Sequence, residues 1–327
     1  MTIPGDGLEP CVGPSTLRRL AASWPGRATI RTDMERITRA DNSMPGSPDY
    51  PEHLIPFAAH PLFLEAPLEQ RRMVNTLAWL GFNARVIAVE DFIVNPAFDK
   101  IGSNFFPGTE GDDVKESVKQ AQIDEVWHTY MHMLALKKAQ AVAKIANHPD
   151  YIHPLPSRRL HVAQSEVSET WERDLLLLLW AVVAEISVSA YLELVARDDT
   201  IQPMHALVAR LHNRDESAHG SIMYDITKKI YHGMTSSQQE FFVRSFPAAI
   251  TAFGAEDYEM WPDILQTARM PGAIEIVHDI QASPGHDFLV NDFSGIQRLL
   301  RELEIHDAVE FDFSALQHDH PAATQKT

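Results

Sequence analysis

Two stretches of the chain repeat one arrangement of possible ligands, Asp124-Glu125-x-x-His128 and Asp215-Glu216-x-x-His219. On a helix, residues three apart lie about 60° from each other, so each glutamate shares a face with its histidine. His212 stands one turn before Glu216, and residues 212, 216 and 219 also fall within about 60° of one another. Single glutamates complete the pattern. Glu90 sits in the apolar context RVIAVEDF and Glu185 in WAVVAEISVSA. A carboxylate buried in such surroundings is costly unless a metal or a cation compensates it. No Lys or Arg lies within one turn of Glu185 in sequence. Carboxylates can bridge two cations and hold them close against their repulsion, and each imidazole adds a neutral nitrogen, which is what a dinuclear metal site needs.

A lone Glu-x-x-His is weak, because glutamates and histidines on helices mostly face solvent. This chain has three, and the third, Glu275 and His278 in EIVH, has no partners at helical intervals elsewhere and reads as a surface pair. The weight lies in the conjunction. One glutamate from each of two helices, with Glu-x-x-His from each of two others, makes a two-metal set inside a four-helix bundle. The expected ligands are Glu90, Glu125, His128, Glu185, Glu216 and His219. His212 is either a seventh ligand or a core histidine. Metal-bound imidazoles usually donate their second N–H to a carboxylate. Asp124 and Asp215 are the expected acceptors, each serving the histidine of the opposite helix. Manganese suits such oxygen-rich ligands as well as iron does, so the ligands alone leave the metal open.

Four helical segments must carry these residues, over about 67–95, 112–147, 168–197 and 203–231. The first has apolar residues at helical intervals and a stop signal in Asn95-Pro96. The second runs without Gly or Pro until NHPDYIHPLP. The third is apolar through its middle, as a helix buried on most sides must be. The fourth starts at Pro203, is interrupted by Gly220 and ends near Gly233. Shorter helices are predicted near 15–23, 32–40, 236–254, 270–280 and 294–304, with an extended strap at 42–57, where four prolines occur. The fold class is all-α: a ferritin-like four-helix bundle with additional N- and C-terminal helices, in one domain spanning 1–327.

Bulk properties narrow the function classes. A net charge of −17 over 327 residues argues against nucleic-acid and anionic-membrane binding. The single cysteine, Cys11, excludes an intrachain disulfide and fits a cytoplasmic setting. No signal peptide is visible, and the apolar run at 175–184 is about half the length of a membrane span.

With these motifs in view, the chain resembles the di-iron arylamine N-oxygenases over nearly its whole length, from Pro14 to Phe313. The matching stretches are PFAAHPLFLEAP (56–67), HTYMHMLA (128–135), ARDDTIQPMH (196–205), RDESAHGSI (214–222) and VEFDF (309–313). The resemblance implies that all seven residues bind iron, with His212 as the additional ligand. It also implies dioxygen as co-substrate, a homodimer, and oxidation of an aryl amine through its hydroxylamine towards the nitroso or nitro compound in natural-product biosynthesis. Electrons must come from an external reductase or ferredoxin, since nothing in the sequence resembles a flavin or nicotinamide domain. A tyrosine, an asparagine and an arginine that hold the carboxylate of p-aminobenzoate in the family match Phe82, Ser189 and Asn291 here. Losing the arginine removes the natural bidentate clamp. The expected substrate is an aryl amine that is larger, neutral or anchored elsewhere, and Arg85 is a replacement anion contact or a structural ion-pair partner. Two alternatives stand beside this reading: a di-iron C–H hydroxylase or desaturase, and a non-enzymatic ferritin-like iron-handling protein.

Overall fold

The computed structural model describes residues 15–33, 43–145, 153–282 and 292–316. Among these, the regular structure is helical, with no β-strand. In chain order the helices are α1 (Thr16–Arg27), α2 (Pro61–Glu65), α3 (Leu68–Val89), α4 (Asn95–Gly102), α5 (Asp112–Ala143) and α6 (Leu155–Ser165). They continue with α7 (Thr170–Ala196), α8 (Pro203–Gly233), α9 (Ser236–Gly254), α10 (Met260–Thr267), α11 (Ala273–Ala282) and α12 (Ser294–Glu302). Helix α7 packs along α8, α3 along α5, and α5 meets α8. This is the all-α bundle expected. Cys11, Asn291 and the helix predicted near 32–40 fall outside the described residues or, for the last, mostly so.

Helix α7 is the buried centre. A capping box starts it, with the Glu169 backbone N–H donating to Glu172 Oε2 at 3.3 Å. Leu175 to Ala184 follow, none more than 7% exposed. Each buried Leu or Val there contributes roughly 1.5–3 kcal/mol of apolar burial. Although α7 is long and apolar enough to cross a membrane, its apolar surface is used up by packing inside the bundle.

The first predicted helix does not stop at Asn95-Pro96. After Val89 the backbone widens into a π-helical turn, Glu90–Val94, and re-forms as α4. Pro96 occupies the first turn of α4, where its missing N–H breaks no intrahelical bond. Such π turns are common at functional sites, and this one begins at Glu90 and packs against α5 and α7. Helix α5 ends at Ala143, short of the predicted boundary, because Lys144 takes a left-handed conformation and Ile145 N–H closes on Gln140 O. Helix α6 was not anticipated: its Pro-rich start reads as a breaker in sequence, but Pro156 lies in the first turn.

The predicted strap is anchored at its middle, whereas its C-terminal half is not extended but folds into a 3-10 turn at Glu52–Leu54. Asn75 Oδ1 accepts the backbone N–H groups of Asp49 and Tyr50, and its Nδ2 donates to Tyr50 O.

Gly220 is where α8 closes on α7. A Cβ placed there would lie 2.9 Å from the carbonyl oxygen of Glu185, which belongs to backbone and cannot swing away. Gly220→Ala gains about 1 kcal/mol of helix propensity and meets an overpacking cost of about 1–3 kcal/mol. The expected outcome is a lower Tm by thermal unfolding, together with fewer metals bound per chain, since Glu185 is displaced.

Candidate metal centre

Seven side chains from four segments converge in the bundle. The π turn supplies Glu90, α5 supplies Glu125 and His128, α7 supplies Glu185, and α8 supplies His212, Glu216 and His219. None is more than 4% exposed. Two overlapping sets of donors form, Glu90/Glu125/His128/His212 and Glu125/His128/Glu216/His219, with one donor atom per residue within 4.8 Å of the others in its set. Glu185 borders the second set, its Oε2 3.9 Å from His219 Nδ1.

The two central carboxylates face several nitrogens at once. Glu125 reaches His128 Nδ1 at 3.1 Å through Oε2 and contacts His219 Nδ1 through Oε1. Glu216 Oε1 lies 3.0 Å from His212 Nε2, 3.3 Å from His128 Nδ1 and 3.3 Å from His219 Nδ1. Glu90 stands at the His212 end, 3.5 Å from its Nε2.

Each imidazole is held from behind. Asp124 on α5 lies 3.1 Å from His219 Nε2, and Asp215 on α8 lies 3.3 Å from His128 Nε2, so each aspartate reaches across to the opposite helix. His212 is held by a relay that runs in one direction only. Asn83 Nδ2 donates to Trp79 O at 2.7 Å, which turns its Oδ1 towards His132 Nδ1 at 2.8 Å. Burial, reinforced by His212 and His128, pushes the His132 pKa well below its usual value and keeps it neutral. His132 therefore donates from Nδ1 and accepts at Nε2 from His212 Nδ1–H, 2.9 Å away. That leaves His212 Nε2 as a lone pair aimed at Glu90 and Glu216.

All three imidazoles thus turn one nitrogen inward, towards carboxylate oxygens that are also acceptors. Lone pair against lone pair is repulsive unless a proton or a metal lies between. Burial works against charge on His128, but Glu125 and the hydrogen bond to Asp215 outweigh it and carry its pKa up to about 10. His219 is raised well above its usual value, Glu125 and Glu216 outweighing burial. Burial first, then the neighbouring Glu125, pushes Glu90 and Glu185 up as well. Protons are filling places that suit cations. The inward atoms Glu90 Oε2, Glu125 Oε1, Glu185 Oε2, Glu216 Oε1, His212 Nε2 and His219 Nδ1 are all buried without a hydrogen-bond partner. Isolated groups of this kind occur a few times per hundred residues, but six facing one another in one place need an explanation. Two divalent ions would satisfy these atoms and balance the four carboxylate charges, so the donor set fits a dinuclear metal site.

Helix α1 closes the far side. Trp24 Nε1–H donates to Asp124 Oδ2 at 2.9 Å, and the Thr29 backbone N–H donates to Asp215 Oδ2 at 2.9 Å. Arg27 Nη1 lies 3.9 Å from a carboxylate oxygen of each aspartate. Sequence reasoning missed these residues, because nothing in their spacing ties the N-terminal segment to the core. It also missed His132, although HTYMH places it one turn after His128 on the same face.

A cavity of about 50 Å³ opens beside the cluster and touches Glu90 and His212. Arg85, Ser187, Val188, Tyr191 and Phe253 are among its walls. Of the four substrate-pocket positions expected from sequence, only Arg85 is among the lining residues. Phe82 packs against Tyr50, Trp79, His132 and Tyr191. Ser189 is not among the lining residues, α7 contributing Ser187 and Val188 there instead. Asn291 lies outside the described residues. The Tyr50 and Tyr191 hydroxyls meet at 2.8 Å. Arg85 lies over the Tyr191 ring, 5.9 Å from its centroid, and donates to Phe253 O at 3.5 Å. A much larger hollow, of about 820 Å³ at Tyr231, Glu240 and Glu310, touches none of the seven residues, so size does not mark the site; the donor set does. Glu275 and His278 are exposed on α11, as a surface pair should be.

Comparison with known proteins agrees with this chemistry. The model of the family described as p-aminobenzoate N-oxygenase AurF matches residues 13–304. A curated relative, the 4-aminobenzoate N-oxygenase of Streptomyces thioluteus, is 42% identical over 305 residues, which is 93% of this chain and 91% of that protein. With the motif, the buried cluster and near full-length similarity in agreement, the chain belongs to the p-aminobenzoate N-oxygenase AurF family.

Proposed function

We propose that the chain, acting as one oxygenase domain over residues 1–327, binds two iron ions through Glu90, Glu125, His128, Glu185, His212, Glu216 and His219 and oxidises the nitrogen of an aryl amine with dioxygen. The observation that carries this reading is the set of six buried, unpartnered donor atoms facing one another inside a member of this family. Bound iron would supply the redox activation of dioxygen. The first step forms an N–O bond: one oxygen atom goes to nitrogen, the other leaves as water, and two electrons and two protons come from outside. Further rounds lead to the nitroso or nitro compound. We assign the electrons to an external reductase or ferredoxin, the assembly to a homodimer and the setting to the cytoplasm.

The protein's own groups have distinct parts in this reading. Asp124, Asp215 and His132 hold the imidazoles with a lone pair inward. Val86, Val89, Ala184 and Leu192 keep water from the cavity beside Glu90. Burial pushes the Tyr191 hydroxyl up to about 12, against the pull of Arg85, so it remains a neutral donor. A benzene-sized ring needs about 150 Å³, so substrate access requires side chains to move at the wall. Half-buried Arg85, with one long hydrogen bond, is the group best placed to swing and meet an anionic substituent. Among the described residues, its guanidinium is the only permanently cationic group on the cavity walls.

The test is product analysis by mass spectrometry after iron-loaded protein meets a panel of aryl amines, dioxygen and reductant. N-hydroxylated or nitro products support the reading, whereas hydroxylation of ring carbon alone would overturn it. Arg85→Ala is expected to raise KM for anionic aryl amines by about tenfold or more, with little change for neutral ones, which corresponds to one charge-assisted hydrogen bond of about 1.5–3 kcal/mol.

Metal loading should depend on pH in a defined direction. In the metal-free protein, protons occupy His128, whose pKa is about 10, and His219, which is also raised. Metal must displace them, so affinity rises with pH through the neutral range and is lost in acid. Calorimetric titration in two buffers of different ionisation enthalpy is expected to show proton release on binding.

A further inference from the structure

Trp24 Nε1–H and His219 Nε2–H donate to the same oxygen, Asp124 Oδ2, at 2.9 and 3.1 Å. One carboxylate oxygen therefore joins an indole to an imidazole whose other nitrogen faces the metal site. Trp24 is half-buried, at the end of α1, whereas Asp124 and His219 are fully buried. The chain of contacts thus runs from the surface of the protein to its centre in two hydrogen bonds. Among the described residues, neither of the other two imidazoles is joined through its backing group to an aromatic ring at the surface. His128 is backed by Asp215 and the Thr29 backbone N–H, and His212 by His132 and Asn83 in the core.

The surface around Trp24 has an unusual charge for this protein. The chain carries −17 overall, yet residues 15–32 include Arg18, Arg19, Arg27 and Arg31, against Asp33 at their end and Asp113, which accepts from Ser15 at 3.2 Å. Arg31 lies over the Trp24 ring, 5.9 Å from its centroid. Arg214, from α8, joins the same face by donating to Thr29 Oγ1 at 3.0 Å. Arg18, Arg19, Arg31 and Arg214 are exposed. A cationic patch on an anionic protein steers an acidic partner to one place.

We propose that a small acidic iron–sulfur protein docks on the arginine-bearing surface made by α1, the turn Thr29–Arg31 and Arg214 and delivers electrons through Trp24, Asp124 and His219 to the metal site. This rests on the N-oxygenase reading, which needs two external electrons for each hydroxylation. The carrier loses one electron per visit and the iron gains it, so two visits serve one hydroxylation. No bond in the chain forms or breaks. The remaining cationic edge of the face orients the carrier with its cluster towards the indole.

The experiment uses iron-loaded, full-length protein in the diferric state. It is mixed without oxygen with a reduced plant-type 2Fe–2S ferredoxin as the acidic probe, or with methyl viologen radical as a cationic one, and the loss of diferric absorbance is timed. Trp24→Phe, which keeps an aromatic ring but removes the N–H, is expected to slow reduction by ferredoxin roughly tenfold or more, with two irons per chain retained. Arg18→Glu/Arg31→Glu is expected to raise the ferredoxin concentration for half-maximal rate by about tenfold and to flatten its salt dependence, without slowing the viologen reaction. Wild-type rates in Trp24→Phe would overturn the route. So would a loss of iron that matches the loss of rate, because Trp24 would then only brace Asp124. Unchanged ferredoxin saturation in the charge-reversal variant would overturn the docking face. Fast reduction of a wild-type protein that oxidises no aryl amine in air would sink the N-oxygenase reading instead and leave the route standing.

Discussion

Glu216→Gln is expected to bind fewer than two irons per chain and to lose aryl-amine oxidation by on the order of 10³-fold or more, because the metal's contribution to the reaction is worth several kcal/mol. The reason is geometric. Glu216 Oε1 is within 3.3 Å of inward-facing nitrogens of His128, His212 and His219. No other carboxylate oxygen of the cluster faces all three. Glutamine keeps the shape and one acceptor oxygen but removes the negative charge, and its amide places a donor among imidazole nitrogens. Iron content by elemental analysis and product by mass spectrometry check the two halves separately. The metal-free variant is also expected to unfold at a Tm no lower than the metal-free parent. One of four crowded carboxylates has lost its charge, and burying a neutral amide costs less than burying an ion. Full iron content with full activity would remove Glu216 from the site.

Asp124→Ala is the second large effect, and it acts from outside the donor set. Asp124 is fully buried and accepts from both Trp24 and His219, with Arg27 3.9 Å away. Removing it leaves two N–H donors without an acceptor, at about 1–3 kcal/mol each, and takes from Arg27 one of its two counter-charges. His219 is then free to rotate or to change tautomer. Metal affinity is expected to fall by about 10–100-fold, as it does when such outer partners of metal-binding histidines are removed. Unlike Glu216→Gln, the metal-free protein should also lose several kcal/mol of stability by denaturant unfolding. Asp124→Asn separates the causes: its side-chain oxygen can still accept, so stability should recover more than metal affinity, which needs the carboxylate to polarise the imidazole. Equal losses in both variants would make Asp124 a packing residue only.

The donor residues were legible from sequence because helical periodicity converts spacing directly into direction. Glu125 and His128, or His212, Glu216 and His219, must share a face if their segments are helical, and a glutamate behind ten apolar residues needs a buried partner. The same reasoning separated Glu275 and His278, which lie exposed on α11. The all-α bundle and its four long helices were legible for the same reason, apart from ends such as Asn95-Pro96, where one proline serves equally as a stop signal and as the first turn of a new segment. Local sequence could not decide which distant residues stand behind the donors. Trp24 and Thr29 meet Asp124 and Asp215 across 100 and 186 residues, and the Asn83–His132–His212 relay joins three helices. The lining of the cavity beside Glu90 shows the same limit: Ser187 and Val188 face it and Ser189 is not among its walls, because the rotation of α7 about its axis is set by how α8 closes at Gly220 and how the π turn packs beside it. Periodicity within one helix fixes angles relative to that helix alone; the angle of each helix relative to its neighbours is a property of the packed core, and that angle decides what a side chain finally meets.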